Sequence, residues 1–212
     1  MLYTGSLWEY VDRVEVKNPG QRYISNFIIY DALGEPEIDL NRWRLCVDGL
    51  VKEKRCYSFD DLESMPHITY TADFNCVTKW SIKDVVWEGP SLSELIGRSV
   101  PDQKASWVMF WSADGYSTPV PLEYALSDKA LVAIRVNGAS LKKENGFPAR
   151  PFIPDLYGWK SAKWLTLIEL IDDYRDGYWE QYGYHEIGRV ENEERFKGFT
   201  WKSIRRNSRR SD

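Results

Sequence analysis

The sequence predicts an α+β domain, mixed and mostly β, in which short strands are joined by a few brief helices. Three observations predict it. Apolar and polar residues alternate over short windows, as where Trp43, Leu45 and Val47 interleave with Arg44, Cys46 and Asp48; that is the period of a half-buried strand. The helix-start signals open only brief helices. No repeat of fixed period and no linker divides the 212 residues, so the chain is read as one domain over 1–212, with an N-terminal arm at 1–20 and a basic tail at 198–212.

The elements follow in order. Residues 42–51 alternate and form the first strand. Ser58-x-x-Asp61 starts a short helix that stops before Pro66. Residues 68–75 alternate again and deliver Cys76 to a strand end. Ser91-x-x-Glu94 has the form of a capping box for a second short helix ending near Gly97. Residues 107–111 read as a buried strand closing on the turn Ser112-Ala113-Asp114-Gly115. Residues 131–137 and 152–153 read as paired strands around an Asn137-Gly138 turn and a longer loop. Residues 164–171 form a last, β-branched strand.

Composition narrows the function. A net charge of −4 argues against a protein devoted to nucleic acid. No apolar run has the length needed to cross a bilayer. The first residues show neither a secretory leader nor a twin arginine, so a cytoplasmic chain is expected. Three cysteines, at 46, 56 and 76, contain no C-x-x-C, which removes the usual zinc, dithiol and c-haem readings. Cys46 and Cys56 could face each other across a hairpin, and in a cytosolic chain a reduced, packed pair is expected. With His67 and His185 as the two histidines, histidine-rich metal sites are out of reach. The run Lys202 to Arg210 reads as a solvated tail.

Five segments carry chemistry. Phe74-Asn75-Cys76-Val77-Thr78-Lys79-Trp80-Ser81 frames a thiol with aromatics. On its residues alone this cysteine reads as buried filler, free cysteine being among the most buried residue types, or as a chosen ligand. In Asn145-Gly146-Phe147-Pro148-Ala149-Arg150, the glycine and proline set a turn that aims an arginine, whose fork of donors suits a phosphate. By itself it is also an ordinary hairpin loop. Tyr157-Gly158-Trp159-Lys160-Ser161-Ala162-Lys163 reads either as a phosphate-gripping loop or as a strand entry with snorkelling lysines. Phe110 to Gly115 offers Ser112, and more weakly Asp114, at a strand end. Gly177 to His185 is densely aromatic and reads as cover for the core or as a pocket wall.

Taken together and in their order along the chain, these segments, with Tyr23-Ile24-Ser25-Asn26-Phe27 ahead of them, resemble the sulfite-oxidase-fold, molybdopterin-binding oxidoreductases, over about residues 23–185. The resemblance implies that Cys76 is the protein's thiolate ligand to molybdenum, a soft ligand for a redox-active metal. It implies that Asn26, Ser112, Asn145, Arg150, Ser161, Ala162 and Lys163 bind the molybdopterin, and that Tyr184, with His185, lines the substrate side. The implied activity is two-electron oxygen-atom transfer to or from a small substrate, with a separate electron donor or acceptor protein and no haem. A molybdopterin carrier without turnover and a thiol enzyme using Cys76 are the alternatives. Two departures bear on substrate. Ser25 and the stretch Val77-Thr78-Lys79-Trp80 stand where sulfite oxidases carry arginines, and Asn145 stands where they carry histidine. These features resemble the branch that includes methionine-sulfoxide-reductase subunits, and they predict poor sulfite oxidation and a neutral S-oxide or N-oxide substrate.

Overall fold

The structure is a computed structural model that describes residues 18–198. Most of the expected arm and the basic tail after residue 198 lie outside the described residues. The strands are β1 (Arg22–Tyr23), β2 (Leu45–Gly49), β3 (Arg55–Tyr57), β4 (His67–Asn75), β5 (Trp80–Pro90), β6 (Trp107–Ser112) and β7 (Ser117–Pro121). They continue with β8 (Leu131–Ala133), β9 (Arg135–Val136), β10 (Ala139–Ser140), β11 (Arg150–Phe152) and β12 (Leu165–Ile171). The helices are α1 (Phe59–Ser64), α2 (Leu92–Gly97) and α3 (Leu122–Ala125). The α+β, mostly β class holds. Among the described residues no helix is long and apolar enough to cross a membrane.

One sheet runs β3-β2-β12-β6-β7, with β12 parallel to β2 and antiparallel to β6. Its buried face (Leu45, Val47, Val108, Phe110, Leu165, Ile168, Leu170) packs on α1 and α2 through Leu62, Leu92, Leu95 and Ile96. The second sheet is organised by β5, which pairs with β4 along most of its length, with β1 at Trp80–Ser81 and with β9 at Trp87–Glu88. Its core is aromatic, built from Phe74, Trp80, Trp87 and Phe152. The short β8–β11 pair lies between them in sequence, and both strands are fully buried.

Local physics explains the agreements. α1 starts where Ser58-x-x-Asp61 places it, and does so through a capping box: Ser58 Oγ accepts from the Asp61 amide at 3.1 Å, and the Asp61 carboxylate accepts from the Ser58 amide at 2.8 Å. Asn137 and Gly138 both take positive φ, 50° and 77°, as a two-residue hairpin requires. Three differences also have causes. The Ser91 hydroxyl pairs with Ser93 rather than capping α2, and Glu94 turns to Arg98 at 2.6 Å instead of its helix start. β7 holds two prolines, which it tolerates as an edge strand with one side free of ladder bonds. Cys46 and Cys56 are not a reduced pair. They stand opposite each other in the β2–β3 register and are joined by a disulfide. Such bonds persist mainly in oxidising surroundings, which the premise of a cytoplasmic chain did not include.

Candidate active site

Four segments meet over the β4–β5 turn and leave a cleft between them. They are the stretch 27–33, the 3-10 turn Lys143–Asn145, the 3-10 turn Gly158–Lys160 with the residues 161–163, and the aromatic stretch 179–184. Cys76 opens the turn. Its amide donates to the Trp80 carbonyl at 2.8 Å, its carbonyl accepts from the Lys79 amide at 3.1 Å, and Lys79 closes the turn at φ 71°. The thiol lines the cleft, 3.2 Å from Thr78 Oγ1.

Arg150 begins β11 and reaches the floor of the same cleft. Its Nε donates to Ser161 Oγ at 2.8 Å, its Nη2 to the Ser161 carbonyl at 2.9 Å and its Nη1 to the Asn145 carbonyl at 2.9 Å. Its guanidinium sits over Phe74 at 5.4 Å and Trp87 at 5.7 Å. The side chain is buried and has no carboxylate in ion-pair reach among the described residues; burial lowers its pKa to about 10. Lys163 lies beside it, over the Trp164 ring at 4.1 Å, and donates to the Glu144 carbonyl at 3.1 Å. Burial, and then the charge of Arg150, lower the Lys163 pKa to about 8, against the weaker opposite pull of Asp31, Asp114 and Glu35. Gly146 makes this proximity possible: at φ 102°, a Cβ there would lie 3.0 Å from Lys163 Cα and Cβ.

The remaining wall is aromatic. Tyr184 stacks on Trp179 at 5.1 Å and meets Trp159 edge-on at 5.2 Å. Burial, and then the nearby Cys76, raise the Tyr184 pKa, so its hydroxyl stays a donor at neutral pH. Behind this wall Lys160 and Glu180 form a fully buried ion pair at 2.7 Å. Glu180 Oε1 also accepts from Trp159 Nε1 and Thr118 Oγ1, both at 2.9 Å, which ties the 179–184 stretch to the lysine loop.

The structure therefore brings Cys76, Asn145, Arg150, Ser161, Ala162, Lys163 and Tyr184 to one cleft. Ser161 spends its hydroxyl on Arg150 and on the Pro151 carbonyl, so it orients the arginine. Three expected residues lie off the lining. Asn26 is exposed, and Phe27 faces the cleft in its place. Ser112 is buried at the end of β6 with no hydrogen-bond partner for its hydroxyl among the described residues, while Asp114 and Tyr116, beyond it, reach the cleft. His185 Nδ1 accepts from the Ile187 and Gly188 amides at 3.1 and 3.2 Å and serves its own turn. Tyr182, within the aromatic stretch read as a pocket wall, is 65% exposed and lies off the lining. Sequence reasoning missed Tyr116, whose hydroxyl donates to the Trp159 carbonyl at 2.6 Å, and the apolar stretch Ile28, Ile29 and Leu33 at the cleft mouth. The apolar run Phe27-Ile28-Ile29-Tyr30, followed closely by Leu33, was the available signal.

Residues 32–179 match the family model described as oxidoreductase molybdopterin binding domain. The chain is 35% identical over 184 residues to an uncharacterized oxidoreductase of Bacillus subtilis, YuiH, covering 86% of this chain and 91% of that one. It is 32% identical over 166 residues to the protein-methionine-sulfoxide reductase catalytic subunit MsrP of Ralstonia nicotianae, covering 71% of this chain and 50% of that one. It thus spans nearly all of the first relative but about half the length of the second. The sulfane dehydrogenase SoxCD from Paracoccus pantotrophus shares the fold, with a TM-score of 0.60 at 24% identity, over 66% of this chain and 41% of that one. Since the family model takes in well over half of the residues, Cys76, Arg150 and Lys163 among them, the chain belongs to the oxidoreductase molybdopterin binding domain family.

Proposed function

We propose that this chain is a molybdenum-cofactor oxidoreductase that transfers an oxygen atom to or from a small, neutral substrate, with S-oxide or N-oxide reduction the favoured direction. The observation that carries the reading is the convergence of a lone thiol and two cations that make no ion pair among the described residues in one cleft. The residues fit the cofactor. A buried arginine without an ion-pair partner is costly unless an anion completes it, and a phosphate does so through the fork. Among the described residues no group of three or more His, Cys, Asp or Glu side chains could hold a metal. A metal beside Cys76 therefore needs ligands from a cofactor, as a pterin dithiolene provides.

In this reading Arg150 and Lys163 grip the cofactor phosphate, the Ala162 backbone lies against it, and Cys76 offers its thiolate to the metal. The bound cofactor supplies two-electron redox chemistry and oxygen-atom exchange. Tyr184 holds a hydrogen-bond donor on the substrate side, and Trp159, Trp179 and the residues at 28–33 exclude water around it. Lys79, the residue that could have restored a cationic sulfite site, is exposed and off the cleft lining. Its position supports a neutral substrate with an apolar body. Turnover of this kind calls for a separate electron donor protein.

Elemental analysis of protein expressed with molybdenum is the first test, and about one molybdenum per chain is expected from the single thiol in the cleft. Cys76→Ser should abolish turnover and remove the thiolate-to-metal absorption while pterin remains bound. An unchanged spectrum with unchanged turnover in that variant overturns the assignment. Steady-state assays with an artificial donor or acceptor test the substrate: efficient sulfite oxidation with inert S-oxides overturns the neutral-substrate reading.

A further inference from the structure

We infer that Arg195 is a positioning residue for Cys76, fixing the turn that aims its thiol and placing a positive charge against that turn. The inference rests on the reading of Cys76 as the metal's thiolate ligand. Arg195 lies beyond the residues that match the family model, in the charged run Glu193-Glu194-Arg195, which as sequence looks like solvated surface. The structure places it otherwise. Its side chain is 8% exposed, and its Nη1 donates to the Val77 carbonyl at 2.6 Å, with the Cys76 carbonyl at 3.5 Å. Its Nη2 lies 3.4 Å from the Gly20 carbonyl, and the guanidinium covers the Tyr157 ring at 4.7 Å. The nearest carboxylate, Glu193, stands at 3.8 Å.

The turn needs this support. Between β4 and β5 its own ladder supplies bonds at Cys76 and Lys79, whereas the Val77 carbonyl has its hydrogen bond from Arg195. On the amino side, Gln21 Nε2 donates to the Cys76 carbonyl at 3.1 Å. Two segments distant in sequence thus clamp the peptide groups that carry the thiol. Rotating either peptide would swing Sγ relative to the cleft, and a guanidinium on those carbonyls favours electron density at the sulfur. A lysine cannot reproduce the fork, because its ammonium is a point charge on a flexible stem.

The test compares Arg195→Met and Arg195→Lys with the parent enzyme and with Cys76→Ser, all purified with cofactor. Loss of a partner that orients a metal ligand typically costs on the order of tenfold to a hundredfold in activity or metal affinity. Arg195→Met should lose that much in kcat with KM little changed, shift the thiolate-to-metal absorption and lower the metal's midpoint potential. Arg195→Lys should fall between it and the parent. If both variants keep the parent's absorption, potential and kcat, Arg195 merely anchors the chain and the inference is overturned. If Arg195→Met does not fold, the lysine variant decides alone: a shifted band at full cofactor content supports the inference and an unshifted band overturns it. Cys76→Ser separates the two failures, since an unchanged band there means that the ligand reading itself has fallen.

Discussion

Lys160 and Lys163 are three residues apart and both are drawn out of water, yet their surroundings are opposite. Lys160 is closed in by the Glu180 carboxylate at 2.7 Å and by the Pro119 and Glu186 carbonyls at 2.7 and 2.6 Å. Lys163 has one carbonyl, one aromatic ring and the like charge of Arg150. The first cation is complete within the protein and holds the aromatic wall in place. The second, with Arg150, is left incomplete and becomes a binding surface. Burial by itself does not mark a functional cation; burial without a counter-charge does.

The largest effect should come from breaking the completed pair. Glu180→Ala leaves Lys160 buried and uncompensated, which typically costs about 3–5 kcal/mol, so the denaturant midpoint should fall steeply even in cofactor-free protein. Lys163→Ala should leave that midpoint nearly unmoved. If the two variants lose stability equally, the comparison fails.

At the incomplete site the loss should appear in binding instead. Removing one charge-assisted contact, by Arg150→Ala or Lys163→Ala, should cost roughly 1.5–3 kcal/mol, or about tenfold to a hundredfold in cofactor affinity. Pterin occupancy under limiting cofactor measures it, and full occupancy in both variants would refute the phosphate role.

A smaller effect is expected with pH. Lys163 is protonated below its pKa of about 8 and neutral above it, and an anion binds the protonated form. Pyrophosphate binding to cofactor-free protein should therefore weaken as pH rises from 7 to 9, and Lys163→Met should flatten that dependence; calorimetric titration at several pH values reads it. The smallest effect on the cleft should follow reduction of Cys46–Cys56, since neither residue lines it. In denaturant without reductant one of the three cysteines should react with a thiol reagent, and all three after reduction.

How much of this was legible depended on whether the signal was local. The Ser58–Asp61 cap and the alternation running into Cys76 are contained in a few residues, and both appear where expected. β5 was not legible as a strand, because Trp80, Ser81 and Ile82 are buried in succession and Lys83 and Asp84 are exposed in succession, so no period of two runs through it. The loop motifs singled out Arg150 and Lys163, which the fold brings to one cleft, but not which nearby lysine would be neutralised, since Glu180 lies 20 residues from Lys160. His185 was misplaced for a related reason. Its Nδ1 is taken by its own turn, between glycines at positive φ, and no spacing rule reports which way a ring points after such a turn.

The clamp on the cysteine turn also sets an order in time. Arg195 is made 118 residues after Val77, to whose carbonyl it donates. At about 5–20 residues per second, that is roughly 6–24 s of synthesis during which the turn exists without one of its two side-chain clamps. Because a domain folds as a unit, the turn takes its final form only once this late residue has been made.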